Sequence, residues 1–434
     1  MSKEHTKHES KLIYTKNSAR RYLSDGLFSI KTLLKWLVLS TGIGLIVGMV
    51  SSLFGHALVW ANDCRTQYPQ VFLALPVGGL VIVFLYRFFK NTDDRGTNMV
   101  ISSIYTSAHI PFRMAPLIFV STVITHLCGG SAGREGAALQ LGGSIANKLG
   151  ELLKLNEDDQ HIIIMCGMSA GFSALFGTPM AASIFSLEVV SIGIMHYSAL
   201  VPCVTAAMIA HFVAEFLKVP PETFTVAQIP AMDPVNFFKI VLFAALVGAV
   251  SVVFCIVLHT VEHLYKKYIA NAYVRIFVAG CVVVILSAVL GTDFYLGSGM
   301  GIIEHIFHTG DTKSYTFLLK ILFTALTLGA GFKGGEIVPS FCIGAAFGCA
   351  VASLFGLPPT LVAACGMVGL FCGVTNSPLT SLLISFELFG LEGMPYYLAT
   401  IAVSYMLSGY FGLYHAQKIM YSKTDMHVVD RAAR

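Results

Sequence analysis

The chain has 434 residues, of which 55% are hydrophobic and only 12% charged, with a net charge of +4 and a mean hydropathy of +0.73. Soluble domains carry about 25% charged residues, so an ordinary soluble enzyme is excluded, and the small positive charge gives no reason to expect a nucleic acid partner. The two-residue alternation of an outer-membrane strand is absent, which leaves a polytopic membrane protein of the helical kind.

In chain order, residues 1–30 read as a basic tail or surface helix. Eight Lys or Arg lie between Lys3 and Lys35. The first apolar run is too long for a cleavable signal. The far end is basic too, with Lys418, Lys423, Arg431 and Arg434, and basic ends favour the cytoplasmic side. Both termini are therefore expected inside. The runs Trp36–Trp60, Val71–Tyr86, Ile240–Leu258 and Ile276–Leu290 approach or exceed the ~20 residues of a bilayer-spanning helix. The ten Cys are scattered, mostly in apolar segments, as at Cys166, Cys255, Cys281 and Cys342, and read as small buried hydrophobes. No CxxC or His-rich ligand set is present, so neither metal nor cofactor is expected. His126, His161 and His211 stand alone in apolar surroundings and read as packed or hydrogen-bonded. About fifteen polar residues follow the last apolar run, too few for a regulatory domain.

The stretch GGSAGREGAALQLGG, residues 129–143, sets Arg134 and Glu135 between glycines. Taken alone it is a glycine loop before a helix, with Glu135 as a first-turn acid favoured by the helix dipole. The rest of the chain changes that reading, because the motif recurs. GSAGREGAALQLGGSIA (130–146) lies on GFKGGEIVPSFCIGAAF (331–347), with Glu135 on Glu336. Upstream, GTNM (96–99) lies on GSGM (297–300) at the same offset of 201 residues. FSALFGTPMAASIFSLE (172–188) lies on FCGVTNSPLTSLLISFE (371–387), with Pro179 on Pro378 and Glu188 on Glu387. The chain thus divides into a membrane repeat over 31–215, a linker over 216–234, a second repeat over 235–418 and a tail over 419–434. Halves with an odd number of crossings are inverted with respect to one another, as in many transporters and channels.

The repeated pieces are glycine- or proline-marked breaks followed by short apolar runs. Broken helices at membrane depth are tolerated where they line a cavity. Their N-termini carry unpaired N–H groups and about half a positive charge each, which makes an anion site. An ionised carboxylate at the bilayer centre costs about 2.5–3.5 kcal/mol, and one helix end returns about 0.3–1 kcal/mol. Two or three converging ends balance the charge, so Glu135 is expected to switch: ionised in the anion's place, or protonated beside an anion. Arg134 reads as an interface anchor or the partner of a nearby carboxylate, and Glu188 and Glu387 as structural residues at helix ends. A membrane-embedded hydrolase lacks any HExxH, Gly-x-Ser-x-Gly or paired intramembrane Asp to support it, and the chain is not read as an enzyme. A sensor or scaffold is disfavoured by the lack of a recognisable soluble domain.

GREG after a glycine run, its repeat about 200 residues on, and the late GLYHAQ together resemble the CLC family of anion channels and anion/proton antiporters. The resemblance spans residues 30–420 and implies two inverted repeats of about 18 tilted, partly re-entrant helices. It also implies a homodimer with one pore in each subunit. It places three anion-coordinating pieces at Thr97, Asn98 and Met99; at Gly133, Arg134, Gly136 and Ala137; and at Glu336, Ile337 and Val338. Tyr414 takes the place of the central tyrosine and Glu135 that of the external gating and proton-coupling glutamate. The inner glutamate of chloride-type antiporters is replaced by Val189, the chloride-selecting serine is missing, and Glu336 stands in the third piece as a candidate for the inner proton path. These departures resemble the fluoride/proton antiporter branch, although Ala137 and Val338 stand where that branch usually has Thr. The implied function is fluoride export across the cell membrane in exchange for protons, with a chloride/proton antiporter or chloride channel as the alternative.

Overall fold

The architecture follows from where the apolar runs break. The computed structural model describes residues 2–91, 95–106, 110–425 and 427–433, with residues 2–25 and 27–28 given only as helical backbone. Among them are sixteen α-helices and two 3-10 helices. In the first half α1 spans Ser2–Gln67, followed by a 3-10 turn at Pro69–Ala74 and α2 (Leu75–Phe88). Then come α3 (Thr97–Ser103), α4 (Met114–Leu127), α5 (Glu135–Leu152), α6 (Glu157–Phe176), α7 (Pro179–Glu188) and α8 (Leu200–Phe216). An extended strap, 217–233, leads to α9 (Pro234–Tyr268) and α10 (Ala272–Leu290). The second half continues with α11 (Met300–Thr309), α12 (Thr316–Ala330), α13 (Ile337–Phe355), α14 (Pro359–Thr375), α15 (Pro378–Phe389) and α16 (Met394–Leu407).

Six helical stretches of the described residues are long and apolar enough to span a membrane. All four long runs of the sequence lie within them, in α1, in the 3-10 turn together with α2, in α9 and in α10. The other two are Tyr197–Phe216 and Ile337–Phe355. Position 30, the expected edge of the basic tail, lies inside α1, which continues through it.

The repeats are visible in the packing. Helices α5 and α6 cross where Gly142 meets Gly167: a Cβ at Gly142 would lie 2.0 Å from the Gly167 carbonyl oxygen. In the second half α13 and α14 cross at Gly344 and Gly366, where the corresponding distance is 2.2 Å. Only glycine permits either approach. These four helices are mostly buried and form the interior, while α1, α2, α9 and α10 present Leu53, Phe84, Leu242 and Ile285 outward.

Two features depart from an all-helical chain with a loose tail. Strand β1 (Ser191–Ile192), just past α7, pairs parallel with β2 (Lys418–Tyr421), which pairs antiparallel with β3 (Val428–Ala432). Ile192, Ile419 and Ala433 form a small separate core under this sheet. Residues 419–434, expected as a tail, thus include a hairpin that docks on the first half. The Arg431 guanidinium lies 3.5 Å from the centre of the Tyr410 ring, which adds a cation–π contact.

Candidate site between the glycine loops of the two halves

The loops that open α5 and α13 are bonded to each other. Gly133 N–H donates to Gly335 O at 2.6 Å and Gly335 N–H donates to Gly133 O at 2.8 Å, an antiparallel bridge between the two repeats. A Cβ on Gly335 would stand 2.6 Å from the Gly136 nitrogen, and one on Gly133 would stand 2.9 Å from Pro339 Cδ. The glycines therefore serve the close approach of two backbones, and the Gly133 amide is engaged by Gly335.

Glu135, the first residue of α5, is fully buried. Its Oε2 accepts from its neighbour's backbone, Arg134 N–H at 3.1 Å, and from Val338 N–H at 3.3 Å in the first turn of α13. The gate candidate of one half therefore sits on the helix N-terminus of the other. Its Oε1 accepts no hydrogen bond among the described residues and lies 3.6 Å from Arg134 Nε. The Arg134 guanidinium also pairs through Nη2 with Glu222 of the strap. Its carboxylate partner is thus remote in sequence.

Around this carboxylate the other expected residues gather. Thr97 Oγ1 donates to Gly136 O at 3.3 Å and accepts from Gln140 Nε2 at 3.3 Å, which ties the start of α3 to α5. Asn98 Oδ1 accepts from Ala416 N–H at 2.9 Å, and the Tyr105 hydroxyl donates to Ala416 O, so the segment bearing Tyr414 is fastened to α3. Met99 packs partly buried against the core, while Ala137, Ile337 and Val338 are buried and offer only backbone. Glu336 is the N-cap of α13; its Oε2 and the hydroxyl of buried Tyr414 make no hydrogen bond among the described residues. Tyr414 lies within electrostatic reach of both Glu336 and Glu135. Three unpartnered oxygens, on Glu135, Glu336 and Tyr414, thus belong to one neighbourhood, and buried polar atoms without partners are rare in proteins.

Val189 is buried and brings no ionisable group. Glu188 beside it accepts from Leu379 N–H at 3.0 Å, Thr380 N–H at 2.9 Å and Thr380 Oγ1 at 2.7 Å, at the start of α15. Glu387 accepts from Met180 N–H at 2.8 Å and Ala181 N–H at 3.0 Å, at the start of α7. Each carboxylate caps the helix that carries the other.

Several contributors left no mark in the sequence reading. Lys320 of α12 is fully buried, and its Nζ donates to Ser131 Oγ at 3.0 Å, Tyr295 O at 3.2 Å and Gly297 O at 2.7 Å. Thr324 and Thr327 follow it on the same face and also bond Ser131, so α12 grips the loop before Glu135. His126, by contrast, was expected to be packed or hydrogen-bonded, and it is buried with Nε2 3.3 Å from Gly133 O.

The chain has known relatives along most of its length. The profile described as voltage gated chloride channel matches residues 77–409. A chloride/fluoride channel protein of Pseudomonas syringae pv. tomato is 36% identical over 396 residues, covering 90% of this chain and 87% of that one. The crystal structure of a CLC-type fluoride/proton antiporter superposes with a TM-score of 0.86 at 34% identity, covering 89% of this chain and 98% of the other. An H(+)/Cl(-) exchange transporter ClcA of Vibrio cholerae is 24% identical over 389 residues, 82% of each chain.

Proposed function

The chain belongs to the voltage gated chloride channel family, and on that premise we propose that it exports fluoride across the cell membrane in exchange for protons. The observation that carries the reading is the Glu135 carboxylate bonded to Val338 N–H at the start of α13. A carboxylate on a helix N-terminus occupies ground that suits a small anion. Protonation removes its charge and its claim on those amides, so an anion takes its place. Deprotonation returns it and expels the anion. That cycle is proton-coupled exchange.

Glu336 serves as a second proton carrier. It stands close enough to Glu135 for the two charges to repel, and two carboxylates in one dry site favour a shared proton. Tyr414 donates its hydroxyl to the anion or to a carboxylate, whichever is present. Thr97, Asn98 and Met99 bring the start of α3 to the same place, and the backbone of Gly136, Ala137, Ile337 and Val338 supplies amides. The substrate assignment draws support from two relatives above 30% identity whose names include fluoride. Chloride is the second reading, favoured by apolar Ala137 and Val338 where hydroxyls would be expected for fluoride. The working protein is read as a homodimer in the lipid bilayer, with the basic termini cytoplasmic.

Purified protein in liposomes, loaded with fluoride or chloride, decides between the two. Fluoride efflux against its gradient under an imposed pH difference is the expected result. Anion flux without accompanying proton movement would remove the antiport mechanism, and preference for chloride would reverse the substrate order.

A further inference from the structure

The strap between the halves, 217–233, is held at several points. Pro221 lies against Gly177 at the end of α6, where a Cβ on the glycine would come within 3.1 Å of it. Phe224 N–H donates to Leu388 O at 3.0 Å. The Phe224 ring stacks on Phe307 of α11 with centroids 5.0 Å apart and meets Phe389 at 6.2 Å. Glu222 sits between these anchors, directly after two consecutive prolines whose own φ angles are fixed by their rings. Its carboxylate pairs with Arg134 Nη2, and Arg134 Nε lies 3.6 Å from Glu135 Oε1. Side-chain exposure falls from 16% at Glu222 to 14% at Arg134 and 0% at Glu135. One guanidinium is therefore shared by a carboxylate at the rim and a carboxylate at the centre, an arrangement that its planar fork of donors permits.

We propose that Glu222 is a positioning residue that divides the charge of Arg134 between strap and gate, and so sets the external pH at which Glu135 takes up its proton. The inference rests on the reading of Glu135 as the gate. With Glu222 ionised, part of the Arg134 field is directed outward. Without it, the whole field falls on Glu135, which then stays ionised to lower pH, because an opposite charge at this range favours the charged form. Charged or titratable groups around this pair among the described residues are Glu336 and Tyr414 at the gate, with Glu262 and Lys333 beyond Glu336; His126 toward Arg134, with Arg65 and Lys320 beyond it; and Glu304, with His308, on α11 toward Glu222.

Infrared titration of the full-length purified protein tests this without transport, by following the carboxylic acid C=O band that disappears in E135Q. In E222Q its midpoint is expected about one pH unit lower than in wild type. In E222D, which keeps the charge but shortens the reach, the shift has the same sign and is smaller, and this variant stands in if E222Q does not fold. E304Q removes a neighbouring carboxylate on another element and is expected to leave the midpoint near wild type. An unmoved midpoint in both Glu222 variants, an equal shift in E304Q, or no band that depends on Glu135 would each overturn the proposal. The pH profile of anion flux, run with fluoride and with chloride, should move the same way in E222Q. A wild-type protein that exchanges no fluoride for protons, yet shows the shifted band in E222Q, would count against the function proposed above and leave the role of Glu222 standing.

Discussion

Helices α7 and α15 and helices α5 and α13 are two pairs built on one plan, and they differ in one respect. In the first pair the exchange of carboxylates is mutual: Glu188 caps α15 and Glu387 caps α7. In the second pair Glu135 reaches the start of α13, but Glu336 Oε2 makes no return bond to α5 among the described residues. A mutual exchange satisfies both helix ends with fixed protein charge, which leaves nothing for a ligand to do. A one-sided exchange leaves a carboxylate and a tyrosine hydroxyl unsatisfied in a buried place, where each is costly unless a mobile partner supplies the missing contact. The mutual pair reads as framework and the one-sided pair as mechanism.

Five substitutions break or sharpen that contrast. The largest effect is expected for E135Q, which imitates the protonated acid and cannot cycle. Fluoride-driven proton flux in liposomes should fall at least about a hundredfold while the protein remains folded; uphill transport at the wild-type rate would remove Glu135 from the mechanism. E336Q should lose proton coupling or slow in a manner that varies with pH. Equal flux to wild type across a pH range would make Glu336 a plain helix cap and leave the inner proton route without a residue. Within the framework pair, E188Q should cost about 1–3 kcal/mol of stability and E387Q less. Glu188 is buried and also accepts from the Thr380 hydroxyl, whereas Glu387 caps a more exposed helix start. Thermal unfolding in detergent measures both, and a transport defect in either variant without a loss of stability would erase the distinction between the pairs. The smallest effect is expected for Y414F, which removes one hydrogen-bond donor worth about 0.5–1.5 kcal/mol. Flux should drop a few-fold or the coupling ratio loosen, and an unchanged rate and ratio would make Tyr414 a packing residue.

Much of the fold was legible because internal repetition survives as glycines, prolines and carboxylates at fixed spacing. The offset that lays Glu135 on Glu336 foreshadowed the meeting of their loops, since residues equivalent under an internal two-fold tend to meet at its axis. The structural reading of Glu188 and Glu387 agrees with the bonds they make, although no sequence signal says that each caps the other's helix. The partner of Arg134 was hidden for a similar reason. Glu222 lies in a stretch that has only the composition of a linker, and its contact depends on how the strap crosses the molecule. Lys320 is a lone lysine in an apolar helix, and its three oxygen partners come from two other segments. The small sheet escaped notice because β1 is two residues long, too short for any alternation to register.

That sheet bears on the order in which the protein is made. Strand β1 follows α7 in the first half, but its partner β2 leaves the ribosome roughly two hundred residues later. Until then Ser191 and Ile192 present an unpaired edge, and unpaired strand edges invite misassembly. The hairpin therefore acts as a seam closed after all sixteen helices are made, joining residues 418–432 to a segment synthesised roughly two hundred residues earlier. A chain that stops short of Lys418 would hold every helix and both glycine loops, yet leave that seam open, with Ile192 deprived of Ile419 and Ala433.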